Sequence, residues 1–217
     1  MSTESGAARA ASPVDWRRAE FVLTLLAFLG FVTILIRIKT IPGGLPAHPL
    51  FIHVPVVMIP LSVLGALVCV ARPQWFDRYG ILLCLASIVA MSSIFLAMQA
   101  GAALEGALNL QGEAAALIHE HSRDAHILAI VFVVFTATLI LTFSAHRISG
   151  GRPTGLGLAD GILGLRSNYL FLRTVLVVLA LISAYLVYKV GDLGAKAVWE
   201  GRLQGAAGGL PGSPPPP

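Results

Sequence analysis

Five apolar runs, at about residues 20–38, 50–71, 80–104, 126–145 and 170–190, constrain this chain more than anything else in it. Each can cross the ~30 Å hydrocarbon layer of a bilayer as a helix, which takes roughly 20 residues. None alternates apolar and polar residues as a barrel strand does. Charged residues supply only 12% of the chain, against ~25% in soluble domains, and so few charges cannot clad a water-exposed surface. An ordinary soluble globule is excluded. The expected fold class is all-α: a polytopic transmembrane helix bundle with five spans.

The runs divide the chain into an amino-terminal tail at 1–15, a transmembrane helix at 16–40, a four-helix membrane domain at 41–200 and a Pro/Gly-rich tail at 201–217. The two tails are expected to be disordered, since neither carries a helical pattern. Arg17 and Arg18 precede the first run, and Arg37, Lys39 and Pro42 follow it without a small-x-small cleavage site. It therefore reads as an uncleaved anchor rather than a signal peptide. With the amino terminus inside, nine Lys and Arg residues fall on the inner side and six on the outer. That bias predicts a cytoplasmic amino terminus. The net charge of +4 follows from loop arginines and scarce acids, so no nucleic-acid partner is expected.

Two features invite a site and are set aside. The connector Ser149–Ser167 holds six glycines but no Gly-Lys-Ser/Thr, so it reads as a mobile loop rather than a phosphate cradle. Cys69 and Cys84 form no Cys-x-x-Cys pair and read as free core thiols.

The histidines carry more information. His48 and His53 open the second run, and His119, His121 and His126 precede or open the fourth, while His146 alone sits at the far end of the fourth. In an up-and-down bundle the starts of spans two and four share one membrane face, so five histidines converge there. Imidazole ligates haem iron, zinc or copper and relays protons. His48 and His53 are five positions apart, about 140° around a helix, and His121 and His126 repeat that spacing. One histidine from each pair, on two helices, is the ligand set of a bis-histidine b-type haem rather than of a zinc site. His53, about 6 Å further along the axis than Pro49, and His126 have matching depths. Arg37, Lys39 and Arg123 are the cations on that side available to haem propionates. Another metal is the second choice of cofactor, and solvated interfacial histidines are the bland alternative.

Pro55 and Pro60 interrupt the second run, each leaving the carbonyl four residues back without its helical donor. Such a kink shapes a cavity or is merely architectural; with Pro55 two residues after His53, the bend and the imidazole are expected to share one pocket. Gln99 and Glu105, at the small-residue end of the third run, either hydrogen-bond an imidazole or mark the headgroup boundary. The acidic stretch Glu105–Asp124 reads as a solvated loop.

The same residues carry a family resemblance. Leu45-Pro46-Ala47-His48-Pro49-Leu50-Phe51-Ile52-His53-Val54-Pro55 resembles the His-Pro-x-x-x-His-x-Pro opening of the bacterial membrane family known as domain of unknown function 2231. Ile118-His119-Glu120-His121 is similar to that family's acidic-acidic-His stretch, and Val190-Gly191-Asp192-Leu193-Gly194 to its closing Gly-Gly-x-Leu segment. Val54 stands where the family has Phe, and its terminal His-Gly has no counterpart at Ala197-Val198-Trp199-Glu200-Gly201. The resemblance covers residues 41–200 and implies a four-helix core in the bacterial cytoplasmic membrane, with His48, His53 and His121 as the matched positions. Fusion of some members to Rieske or cytochrome-type modules implies redox company.

The expected function is thus an integral membrane protein with a histidine-lined site at one face, binding b-type haem or another metal for electron transfer beside a membrane redox protein or larger complex. A cofactor-free scaffold or assembly subunit is the alternative. No residue pattern marks a catalytic set, and a stand-alone enzyme is not expected. A transporter fits least, since the spans hold almost no midplane charge.

Overall fold

The computed structural model describes residue 30 and residues 47–107, 112–152 and 157–208. Among the described residues from 47 onward six helices follow in order: α1 (His48–Phe51), α2 (His53–Ala71), α3 (Gln74–Ala107), α4 (Gly112–Ser149), α5 (Leu158–Leu163) and α6 (Arg166–Gly208). No strand occurs among the described residues. Pro49 sits in the first turn of α1, where a missing N–H costs nothing. Pro55 cannot donate to the Phe51 carbonyl, and the helix is interrupted just there. Ile52 keeps helical angles, and Val56 still bonds back to it at 3.2 Å, so α1 and α2 form one span. Pro60 lies inside α2 without ending it. Arg72 leaves the helical region at φ −130°, as a residue before proline tends to, and Pro73 turns the chain straight into α3.

Among the described residues four segments are long and apolar enough to cross a membrane: His48–Ala71, Gln74–Ala107, Ala115–Ser149 and Arg166–Trp199. The first expected span lies outside the described residues except for Gly30, and so do Arg37, Lys39, residues 1–29 and 209–217. Three features depart from the expected boundaries. The acidic stretch before Asp124 is helical from Gly112, so Glu120, His121 and Asp124 stand on α4 rather than in a loop. The glycine-rich connector contains the short helix α5. Residues 201–208 continue α6, in keeping with the good helix formers Arg202, Leu203, Gln204, Ala206 and Ala207.

The long helices close a ring in which α2 meets α3, α3 meets α4, α4 meets α6 and α6 returns to α2. Phe76, Phe132, Phe135, Ile59, Leu139 and Leu176 fill its centre, with the Phe132 and Phe135 rings stacked at 5.1 Å. The outer surface is apolar too: Leu64, Leu82, Ile130, Phe171 and Leu181 are more than half exposed. Exposed apolar area on every side is what a lipid-facing bundle presents.

Polar contacts between helices set the levels. At one end Asp77 of α3, His146 of α4 and Tyr169 of α6 meet, with Asp77 Oδ2 3.3 Å from His146 Nε2 and the Tyr169 hydroxyl 3.4 Å from His146 Nδ1. Ten residues along α3 and α4, Ser87 and Thr136 share a buried hydrogen bond of 2.8 Å. Twenty residues along, at about 30 Å by helical rise, come Ala97, His126 and Lys189. The bundle thus spans a bilayer between these layers, and α3, α4 and α6 continue beyond the second one.

Candidate functional site at the histidine-rich end

His48 begins α1, where Pro49 starts the span, and its ring lies against α3. Nδ1 is 2.8 Å from the carbonyl oxygen of Ala97. A carbonyl only accepts, so Nδ1 carries a proton, and in the neutral imidazole Nε2 keeps its lone pair. The ring packs over Gly101: a Cβ there would stand 3.0 Å from both Cε1 and Nδ1 of His48. Gly101 is therefore the notch that admits the imidazole.

His121 repeats the arrangement on the other side. Its Nδ1 donates to the carbonyl of Val190 on α6 at 2.9 Å, again leaving Nε2 as the free lone pair. A Cβ at Gly194 would lie 3.2 Å from its Cε1. His48, Glu105 and Asp124 all act on His121 electrostatically. Both rings are half-buried. Two histidines from different spans are thus each oriented by a main-chain carbonyl and each seated on a glycine. This is the outer-shell arrangement by which ligating imidazoles are held, with tautomer and ring direction fixed by a backbone acceptor.

Beside His121 lies a charge cluster that ties α4 to α6. Asp124 is 2% exposed, with Oδ2 2.6 Å from Lys189 Nζ and Oδ1 3.1 Å from Arg123 Nη2. Glu120 lies 3.4 Å from both Lys189 and Arg123. Lys189 precedes Val190, so the ion pair and the histidine hydrogen bond clamp the same turn of α6.

The remaining expected site residues are placed elsewhere. His53 is exposed on α2, while Pro55, two residues on, is buried. Two residues are about 200° around a helix, so the ring and the proline face opposite ways and share no pocket. Pro60 is exposed. His126 is exposed as well, and its Nδ1 lies 2.7 Å from the Ser122 carbonyl of its own helix. His119 is exposed, and Gln99 and Glu105 are half-buried on α3. Arg123 is engaged with Glu120 and Asp124. The parts not anticipated as site residues are Gly101, Gly194, Asp124 and Lys189; the available signals were the small-residue end of the third run for Gly101 and the Val190–Gly194 segment for Gly194.

Among the described residues no group of three or more His, Cys, Asp or Glu is arranged to hold a metal ion. Cys69 and Cys84 are buried and unbridged. At the opposite end His146 is committed to Asp77 and Tyr169, and Arg152 Nη1 stands 3.7 Å from Asp77; Arg173 donates to the Val70 carbonyl and covers the Tyr169 ring. That end is a clasp of α2, α3, α4 and α6.

No protein of curated function and no solved structure is significantly similar to this chain. The family model for predicted membrane proteins named DUF2231 matches residues 44–207, from just before His48 to the last turn of α6. The match takes in all four membrane-crossing helices and both oriented histidines, and the chain belongs to that family.

Proposed function

We propose that this protein is an electron-transfer component of the membrane that holds a b-type haem between His48 and His121. The observation that carries the reading is the paired geometry: both imidazoles give Nδ1–H to a backbone carbonyl and keep Nε2 for a ligand. Haem needs only two axial ligands from the protein, because the porphyrin supplies the other four nitrogens. A bare zinc ion takes three or four protein ligands, and the donor set here offers two histidines. Haem is therefore favoured over another metal. Gly101 and Gly194 support the same reading by seating the two imidazoles against the helix backbones.

The site lies about 30 Å from the Asp77–His146–Tyr169 layer, at a membrane face where propionates reach water. Six arginines, at 72, 78, 147, 152, 166 and 173, lie toward the opposite end, against Arg123, Lys189, Lys196 and Arg202 at this one. Six against four favours a cytoplasmic arginine end in a bacterial inner membrane and a histidine-rich end outside. The electron partner is then a membrane redox protein or complex reached from that face.

The test is the visible spectrum of the detergent-purified protein from a haem-replete bacterial host. A Soret band with a pyridine haemochrome of b type is expected at one haem per chain. His48→Ala and His121→Ala abolish it, while His53→Ala, His126→Ala and His146→Ala leave it. A purified, folded chain without a Soret band sinks the haem reading and leaves the cofactor-free assembly subunit.

A further inference from the structure

The connector between α4 and α6 carries three large apolar side chains outward. Leu158 and Ile162 of α5, and Leu165 just after it, are 87%, 59% and 55% exposed. Spacings of four and three residues put them on one side of a helix. The other side is anchored to the bundle. Asp160 and Leu163 are half-buried, and a Cβ at Gly164 would stand 3.1 Å from Ile148 Cγ2 of α4. Asn168 Nδ2 of α6 donates to the Ile162 carbonyl at 2.8 Å.

These anchors set the level of the apolar edge. Ile148 lies two residues beyond His146, and Leu165 four residues before Tyr169. Both therefore stand about 3–6 Å outside the Asp77–His146–Tyr169 layer at 1.5 Å per residue. That is just past the hydrocarbon boundary, where amphipathic helices rest on a bilayer. Trp75 and Tyr79, exposed on α3 with ring centroids 5.6 Å apart, mark the same level, as interfacial aromatics do.

The charge at this end selects the lipid. Among the described residues here, arginines 72, 78, 147, 152, 166 and 173 accompany two carboxylates, Asp77 and Asp160. Arg72, Arg78, Arg152 and Arg166 are exposed, and Arg78 covers the Tyr79 ring. Basic residues at a membrane face attract anionic headgroups. We propose that α5 is an interfacial helix lying in a headgroup layer of acidic phospholipid, with Leu158, Ile162 and Leu165 at the acyl boundary and the exposed arginines on lipid phosphates. A bilayer offers both halves of this match at one level, whereas water would leave three large apolar side chains bare. This face is about 30 Å from the level of His48 and His121, so the lipid contact is independent of what those rings hold.

Spin labelling of the full chain in lipid nanodiscs tests it, on a Cys69→Ala/Cys84→Ala background that removes the two native thiols. Leu158→Cys, Ile162→Cys and Leu165→Cys are labelled singly. Phe171→Cys, on the exposed side of α6, is the lipid reference, and Ala116→Cys, ten residues outside His126 on α4, is the water reference. Collision with oxygen, which concentrates in lipid, is compared with collision with a water-soluble nickel chelate. In phosphatidylcholine mixed with phosphatidylglycerol the three labels are expected to favour oxygen several-fold more than Ala116→Cys does. In phosphatidylcholine alone, or with Arg152→Gln/Arg166→Gln, they are expected to shift toward nickel. If the three labels match Ala116→Cys in both bilayers while Phe171→Cys favours oxygen, α5 is solvated and the proposal fails. Labels shielded from both reagents mean that a second copy or another protein covers this face, which also overturns it. Equal depth in the two bilayers supports the apolar contact and overturns the acidic-lipid half.

Discussion

Lys189 Nζ stands 2.6 Å from Oδ2 of Asp124, a carboxylate with 2% of its surface exposed, and so joins α6 to α4 one turn away from His121. Removing one partner of a buried pair leaves an uncompensated charge, which costs roughly 3–5 kcal/mol in full burial. Here Arg123 still reaches Asp124 and Glu120 still reaches Lys189, and Lys189 is one-third exposed. Lys189→Met is therefore expected to cost less than the fully buried figure but more than the loss of an exposed pair. Glu120→Gln, on a carboxylate 41% exposed, costs under about 1 kcal/mol. Thermal unfolding in detergent checks the order; equal losses for the two variants contradict it.

The glycine notches give a second pair of outcomes. At Gly194 an added methyl meets His121 at 3.2 Å, whereas at Gly191, one turn earlier on the same helix, nothing lies within 4 Å. Gly191→Ala is expected to stabilise by up to about 1 kcal/mol, since alanine is the better helix former. Gly194→Val and Gly101→Val push the rings off their carbonyls and cost about 1–3 kcal/mol. On the haem reading these two also lower the ratio of Soret to protein absorbance, and Gly191→Ala does not. Melting curves and spectra of the three variants separate a packing effect from a ligand effect.

How much of this was legible beforehand follows from what a membrane helix displays. Span lengths follow from apolar runs, because the bilayer sets a minimum, and the motif around His48 points to the family. Which histidine faces inward does not follow, because a span that is apolar on every side has no polar face to mark the outside. Depth was legible and azimuth was not, so His53 and His126 matched in level but are exposed, while His48 and His121 are the half-buried rings held by main-chain carbonyls. One part was readable: His53 and Pro55, two residues apart, fall on opposite sides of any helix. The helical extension of α4 down to Gly112 was hidden because its charges suggest solvent. Helices of this length simply continue past the bilayer, with Glu120, Asp124 and Lys189 pairing at its edge.

Close packing at the opposite end makes a third prediction. A Cβ at Gly80 would fall 2.3 Å from the ring of Phe143, which is buried beside Phe76 with centroids 6.2 Å apart. Neither ring has room to retreat, so Gly80→Ala is expected to cost about 1–3 kcal/mol through overpacking. Gly106→Ala, near the other end of the same helix with nothing within 4 Å, gains up to about 1 kcal/mol by helix propensity. Unfolding midpoints of the two variants should move in opposite directions.

The hydrogen bond between Ser87 and Thr136 lies midway through the bundle, where the only competitors for a hydroxyl are other protein groups. In lipid such bonds are worth about 0.6 kcal/mol on average and reach about 1.7 at most, because a hydroxyl on an isolated helix also finds a partner on its own backbone. Ser87→Ala and Thr136→Val should each cost on the order of 1 kcal/mol. The double variant should cost less than their sum, by about 0.5–1.5 kcal/mol. Both groups are fully or nearly buried, so the coupling reports the bond itself rather than a change in lipid exposure. A double-mutant cycle on reversible unfolding in detergent measures it. Strict additivity would mean that each hydroxyl is satisfied within its own helix and that α3 and α4 are held by shape alone.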